Sequence, residues 1–203
     1  MKKQLIVGAW LMAAGALPLR LAAAGLTEAL NASYAAEAKK DIPAALRAVK
    51  EIENQEAGNY IIQLRLGWLY YLSGLYNESV DYYKKAAQLS PQAVEPLMGM
   101  TYPLGAAGKN DDLLRAYQRV LGIDPHNYTA LSRLAWLTYL KKDYAKAADA
   151  YRKLVDLYPT DVEMLLGLGY SLKMSGKTSD AQAYFNKALL LSPKNPRALE
   201  GLK

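Results

Sequence analysis

The chain has no cysteine and a single histidine, His126. The first absence excludes disulfides, thiolate metal sites and lipid attachment at an N-terminal cysteine. The second excludes a histidine-based metal cluster within one chain. Catalysis needs an activated nucleophile or an acid/base pair in fixed geometry, and little here supplies one. His126 falls in Asp124-Pro125-His126-Asn127, where a polar turn residue is the plain explanation. Carboxylates such as Glu78, Asp111, Asp112 and Asp180 are scattered over helix starts and exposed places, as solvated acids that complement a helix dipole. Gly167-Leu168-Gly169 lies inside a helical stretch, so it is not a phosphate loop. The expectation is a protein without enzymatic activity and with no cofactor or metal.

Long apolar runs are also scarce. The run Leu5–Leu19 is about 15 residues, short of the ~20 that span a bilayer. Lys2 and Lys3 precede it, Pro18 and Arg20 interrupt its end, and Ala22-Ala23-Ala24 offers small residues at both places a signal peptidase inspects. Residues 1–24 therefore read as a secretory signal peptide of bacterial form. That implies a periplasmic or secreted protein with no membrane span after cleavage. The alternative is an inner-membrane protein anchored by the uncleaved segment. Of the net charge of +6, residues 1–24 carry Lys2, Lys3 and Arg20 and no acid, which leaves +3 for the remainder. That excess is too mild to argue for a nucleic-acid partner.

What the chain does have is a period. Tyr60–Ala93, Val94–Asn127, Tyr128–Asp161 and Val162–Asn195 align without a gap at 34 residues each, and an eroded copy fits residues 26–59. The eighth place of each copy is small: Ser33, Gly67, Thr101, Ala135, Gly169. The twentieth reads Ala45, Ser79, Leu113, Ala147, Ala181, and the twenty-fourth reads Val49, Tyr83, Tyr117, Tyr151, Phe185. Gly74, Gly108 and Gly176 share one place, with Lys40 there in the first copy. Pro91, Pro125, Pro159 and Pro193 share another, with Ala57 in the first. Each unit thus reads as helix, turn, helix, turn. Small places let two helices approach, a large ring fills the space beside them, glycine ends the first helix and proline the link. A period of this size marks stacked supersecondary units.

The pattern resembles the tetratricopeptide repeat family over roughly residues 26–195. The resemblance implies an all-α, right-handed α-solenoid of about five stacked helix-turn-helix repeats. It departs where the family's usual large aromatic at the fourth place becomes Ala29, Gln63, Leu97, Leu131 and Leu165. The expected organisation is the signal peptide, then one repeat domain over residues 25–203 (repeats 26–59, 60–93, 94–127, 128–161 and 162–195). Residues 196–203 form a short capping helix with Leu199 and Leu202 packed on the last repeat. A cap so short should leave apolar surface around Phe185 and Leu189 partly exposed.

In such repeats the first helices line a concave face. Their ninth place is aromatic in every copy: Tyr34, Trp68, Tyr102, Trp136, Tyr170. The fifth and twelfth places share a helix face with it. The expected partner-binding groove is therefore Tyr34, Leu64, Trp68, Tyr71, Met98, Tyr102, Gly105, Trp136, Tyr139, Leu166, Tyr170 and Lys173, with inter-repeat core as the competing role for the rings. Pro103 inside a first helix should kink it or end it early. Gly105 and Ala106 should open a notch between Trp68 and Tyr71 on one side and Trp136 and Tyr139 on the other. The family's carboxylate-gripping lysine, arginine and asparagine are missing from the fifth and ninth places. Arg65 and Arg133, at the sixth, and Lys173 remain to meet an acid at the rim. The groove suits a protein or peptide partner, an extended segment or a helix with apolar side chains. Two further readings stand beside it. One is a scaffold that self-associates through the solenoid's ends into a homo-oligomer. The other is a binder of an apolar small molecule or glycan on the aromatic trough.

Overall fold

The computed structural model describes the backbone of residues 16–203, with side chains from residue 25. The proposed signal peptide thus lies outside the residues described in full. All regular structure among the described residues is helical: α1 Ala16–Ala38, α2 Ile42–Glu53, α3 Tyr60–Leu72, α4 Tyr76–Leu89, α5 Glu95–Ala106, α6 Asn110–Ile123, α7 Tyr128–Leu140, α8 Tyr144–Leu157, α9 Val162–Met174, α10 Thr178–Leu191 and α11 Pro196–Gly201. None of them is long and apolar enough to cross a membrane. The chain divides into two compact units, one ending at Ser90 and one running Pro91–Lys203. In the first, α1 packs on α2, α2 on α3 and α3 on α4. In the second, each helix from α5 to α11 packs on the next, and the alternate helices α7, α9 and α11 also touch.

Local chemistry at the repeat boundaries accounts for these elements. Asn59, Asn127, Asp161 and Asn195 share the last place of the repeat, and each accepts hydrogen bonds from backbone N–H groups of the helix it opens. The same place before α5 is Ala93, and α5 starts at Glu95 behind Val94, which makes no side-chain cap. At the other end of the first helices the chain turns through left-handed backbone. Gly74, Gly108 and Gly176 take φ of 74°, 66° and 84°. Lys40 and Lys142 hold the same place at φ 62° without glycine's freedom.

Each unit buries its own core of small residues facing large ones. A Cβ on Gly67 would lie 2.9 Å from the Tyr83 ring, and one on Gly169 2.6 Å from Phe185. The small eighth place and the large twenty-fourth are therefore one packing contact. In the first unit Ala45, Val49, Ile62, Leu66 and Leu69 are fully buried together.

Two expectations are corrected. The early stop expected at Pro103 does not occur: the helix carries through to Ala106, with Pro103 and Leu104 buried. Of the surface expected to stay partly exposed around Phe185 and Leu189, Leu189 is partly exposed, while Phe185 is completely covered. The reason is Gly201 of α11, which sits so close that a Cβ there would come within 2.5 Å of the ring. The cap works through Ala198 and Gly201, both buried, rather than through Leu199, which stays exposed. Leu202 does pack against the core, as does Leu189.

Candidate functional site

In the Pro91–Lys203 unit the first helices enclose a groove of about 820 Å³. From α7 it takes Tyr128, Thr129, Ser132, Arg133, Trp136 and Tyr139; from α9, Glu163, Met164, Gly167 and Tyr170; from α11, Arg197. The floor is Tyr151 of α8. Three places recur along the successive first helices. Thr129, Arg133 and Trp136 are the second, sixth and ninth of their repeat, and Glu163, Gly167 and Tyr170 are the second, sixth and ninth of the next. At spacings i, i+4, i+7 they form one stripe. The groove thus takes in the second and sixth places beside the expected ninth; of the fifth and twelfth places, Ser132 and Tyr139 of α7 line it, whereas Leu166 and Lys173 of α9 do not.

Each wall is fixed by contacts of its own. Trp136 is 47 % exposed. Its ring stacks on Tyr139, centroids 6.1 Å apart at 8°. Tyr128 donates to Asp161 Oδ2 at 2.7 Å and meets Tyr158 edge-on. Tyr170 donates to the Arg197 carbonyl at 2.6 Å, and Arg197 pairs with Glu163 at 2.6 Å. Tyr151 reaches the groove because Gly167 above it has no side chain; a Cβ there would overlap the ring. The Tyr128 and Tyr151 phenols stay protonated. Tyr128 is pushed up to about 12, first by its bond to Asp161, and Tyr151 to about 12, first by burial. The groove thus offers flat apolar rings with neutral donors. Its one charged wall residue without an ion-pair partner among the described residues is Arg133.

A second cavity of about 390 Å³ adjoins the same stripe of α7, sharing Thr129, Arg133 and Trp136. Its other wall is α5, through Met98, Thr101, Tyr102 and Gly105. A Cβ on Gly105 would meet nothing nearer than Leu113 Cδ2 at 4.0 Å, so the gap there is real space.

The unit ending at Ser90 has its own cavity of about 650 Å³, lined by Tyr34, Glu37 and Ala38 of α1 and Ile61, Leu64, Arg65 and Trp68 of α3. Here the rim arginine is not solvated. Arg65 is 5 % exposed and pairs with Glu37. Trp68 Nε1 donates to Glu37 Oε1 at 2.8 Å. Burial of Glu37 opposes its charged form, but the bonds from Trp68 and Arg65 and the arginine's charge outweigh it, so the carboxyl lies below its ordinary value.

Most expected groove residues line one of these cavities, and three stand apart. Leu166 is fully buried in the core of its unit. Lys173 donates to the Gly201 carbonyl at 2.9 Å, so it fastens α11 instead of facing a ligand. Tyr71 lines none of the three cavities and packs between Trp68 and Tyr76. Among the lining residues not foreseen, Thr129, Glu163 and Gly167 belong to the second and sixth places and Tyr151 to the floor. The signal was the restriction of the sixth place to arginine or glycine: Arg65, Gly99, Arg133, Gly167, Gly201.

A stack of capped helix pairs with this groove on its first helices defines an all-α tandem-repeat protein of the solenoid class. Family models described as tetratricopeptide repeat match residues 61–93, 104–162 and 138–203. Together they cover well over half of the sequence, and the chain belongs to the tetratricopeptide repeat family. Among curated proteins it is similar to the CTR9 homolog of Arabidopsis thaliana, 27 % identical over 122 residues, 60 % of this chain but 11 % of that protein. It likewise resembles the BBSome complex member BBS4 of Mus musculus, 26 % identical over 167 residues, 81 % of this chain and 32 % of that protein. The chain thus spans a third or less of these two relatives. Among solved structures, MamA superposes with a TM-score of 0.71 at 22 % identity, covering 85 % of this chain and 94 % of that one. YrrB, described as a TPR protein with an unusual peptide-binding site, superposes at 0.67 and 14 % identity, covering 85 % and 89 %. At these identities the structural likeness speaks for the fold alone.

Proposed function

We propose that the protein is a non-catalytic interaction module whose Pro91–Lys203 unit takes an extended segment or helix of a partner protein into its aromatic groove. The observation that carries this reading is Trp136, half exposed over an 820 Å³ groove whose Tyr128, Tyr170 and Arg197 walls are held by hydrogen bonds. Large flat rings with polar edges give contact area at low entropic cost. The peptide-binding site named for YrrB supports the reading, as does the place of BBS4 in a complex. The signal-like residues 1–24 support a role in the bacterial cell envelope, as an adaptor rather than an enzyme.

The test is a selection from a random peptide library against the full chain, read by tryptophan fluorescence. Selected peptides should perturb Trp136 emission and lose affinity at least roughly tenfold against Trp136→Ala, as for a central aromatic anchor. Peptides that bind Trp136→Ala as tightly as the parent chain would place the interaction elsewhere.

A further inference from the structure

The 34-residue register writes one constellation twice, closed in one copy and open in the other. In the closed copy Glu37, the twelfth place of its repeat, is held by the next repeat's sixth and ninth places, Arg65 and Trp68. Arg65 also donates from Nε to Ser33 Oγ at 3.0 Å, and its guanidinium lies 4.0 Å above the Tyr34 ring. Sixty-eight residues further on, two repeats, the same five places read Thr101, Tyr102, Gly105, Arg133 and Trp136. The hydroxyl, the phenol, the guanidinium and the indole are kept, and only the carboxylate is missing. All five of these residues line the 390 Å³ cavity. Arg133 and Trp136 have no ion-pair or hydrogen-bond partner among the described residues. No acid lines that cavity, and Glu163, which shares the larger groove with them, is committed to Arg197.

We propose that the Gly105 gap is a receptor for an acidic side chain on the bound partner segment, with the Arg133 guanidinium and the Trp136 indole N–H as its donors. The partner's carboxylate takes the position that Glu37 occupies in the closed copy. This rests on the groove reading and sharpens it to a sequence requirement: an aspartate or glutamate at the Gly105 gap, with apolar neighbours against Met98 and Leu137 and in the larger cavity. Planar guanidinium pairs well with carboxylate, and a charge-assisted bond beside low-dielectric rings is stronger than one in open water.

Nitrogen-15 spectra of the full chain test it through the indole N–H signals of Trp68 and Trp136. Three peptides serve as probes: acetyl-Ala-Leu-Glu-Leu-Ala-amide, the same peptide with Gln for Glu, and that Gln peptide with a free C-terminal carboxylate. The glutamate peptide should move Trp136 and leave Trp68, whose acceptor is already in place. The glutamine amide should bind at least roughly tenfold more weakly, as for loss of a charged hydrogen-bonded partner. Gly105→Glu, at an open helical position, should move Trp136 without peptide and abolish the response. Arg133→Gln should erase the preference for glutamate over glutamine. Equal binding of all three peptides at Trp136 overturns the receptor and leaves the groove standing. Equal binding of the glutamate amide and the free-acid glutamine peptide also overturns it, since the acid read would then be a chain terminus. If no peptide moves Trp136, the receptor and the groove fall together.

Discussion

Two kinds of residue carry strain or clearance whose removal has a definite sign. Lys40 and Lys142 stand at φ 62° where three other copies have glycine. A side chain in left-handed backbone costs roughly 1 kcal/mol, partly offset on replacement by glycine's greater unfolded-state freedom. Lys142→Gly is therefore expected to raise stability by about 0.5 kcal/mol, visible as a higher urea midpoint at unchanged m-value. Gly108→Lys should lower it. At Gly167 the issue is space. A methyl there overlaps Tyr151, and Gly167→Ala should cost about 1–3 kcal/mol, as overpacking does. Tyr151→Leu added to it should recover part of that loss, whereas Tyr151→Phe, which keeps the ring, should not. A rescue by phenylalanine would show that the hydroxyl and not the ring is the obstacle.

At the scale of the helix pair, the joint between α1 and α3 is electrostatic and the equivalent joint between α5 and α7 is not. Glu37 is held below the ordinary carboxylate value in the folded chain. A depressed carboxyl stabilises the fold above its unfolded pKa, near 4.5, and loses that contribution as pH falls through the folded value. Glu37→Gln should therefore reduce stability at neutral pH and flatten the fall in stability below about pH 4.5, in urea titrations run across that range. Glu37→Leu, which leaves the buried Arg65 charge uncompensated, should cost about 3 kcal/mol. The helices themselves were legible in the sequence, because cap, small place, large ring and turn recur in register. Which of their places line the groove was legible only in part. Which stripe of a first helix faces the groove depends on how far neighbouring helices are turned by clearances such as Gly167 over Tyr151 and Gly201 over Phe185. Those clearances lie between repeats, whereas periodicity is read within one. The early stop at Pro103 fails for a related reason: burial of Pro103 and Leu104 holds α5 together past its missing N–H.

For the whole molecule, α11 decides how one side of the Pro91–Lys203 unit meets solvent. It seals Phe185 with Gly201 and is tied down by Lys173 and by the Tyr170 bond to the Arg197 carbonyl. Removing residues 196–203 should uncover Phe185, lower the thermal midpoint and bring concentration-dependent association in light scattering. A truncated chain that stays monomeric and equally stable would show that α11 seals nothing. The partner, unlike the fold, was never legible here, since no residue pattern names what a groove holds. Yet Arg197 belongs both to the seal and to the groove wall. Whatever settles against it must also slow the fraying of α11, and whatever loosens α11 must weaken the grip by the same factor. Amide exchange across residues 196–203 is thus a built-in gauge of occupancy, readable before the occupant has been identified.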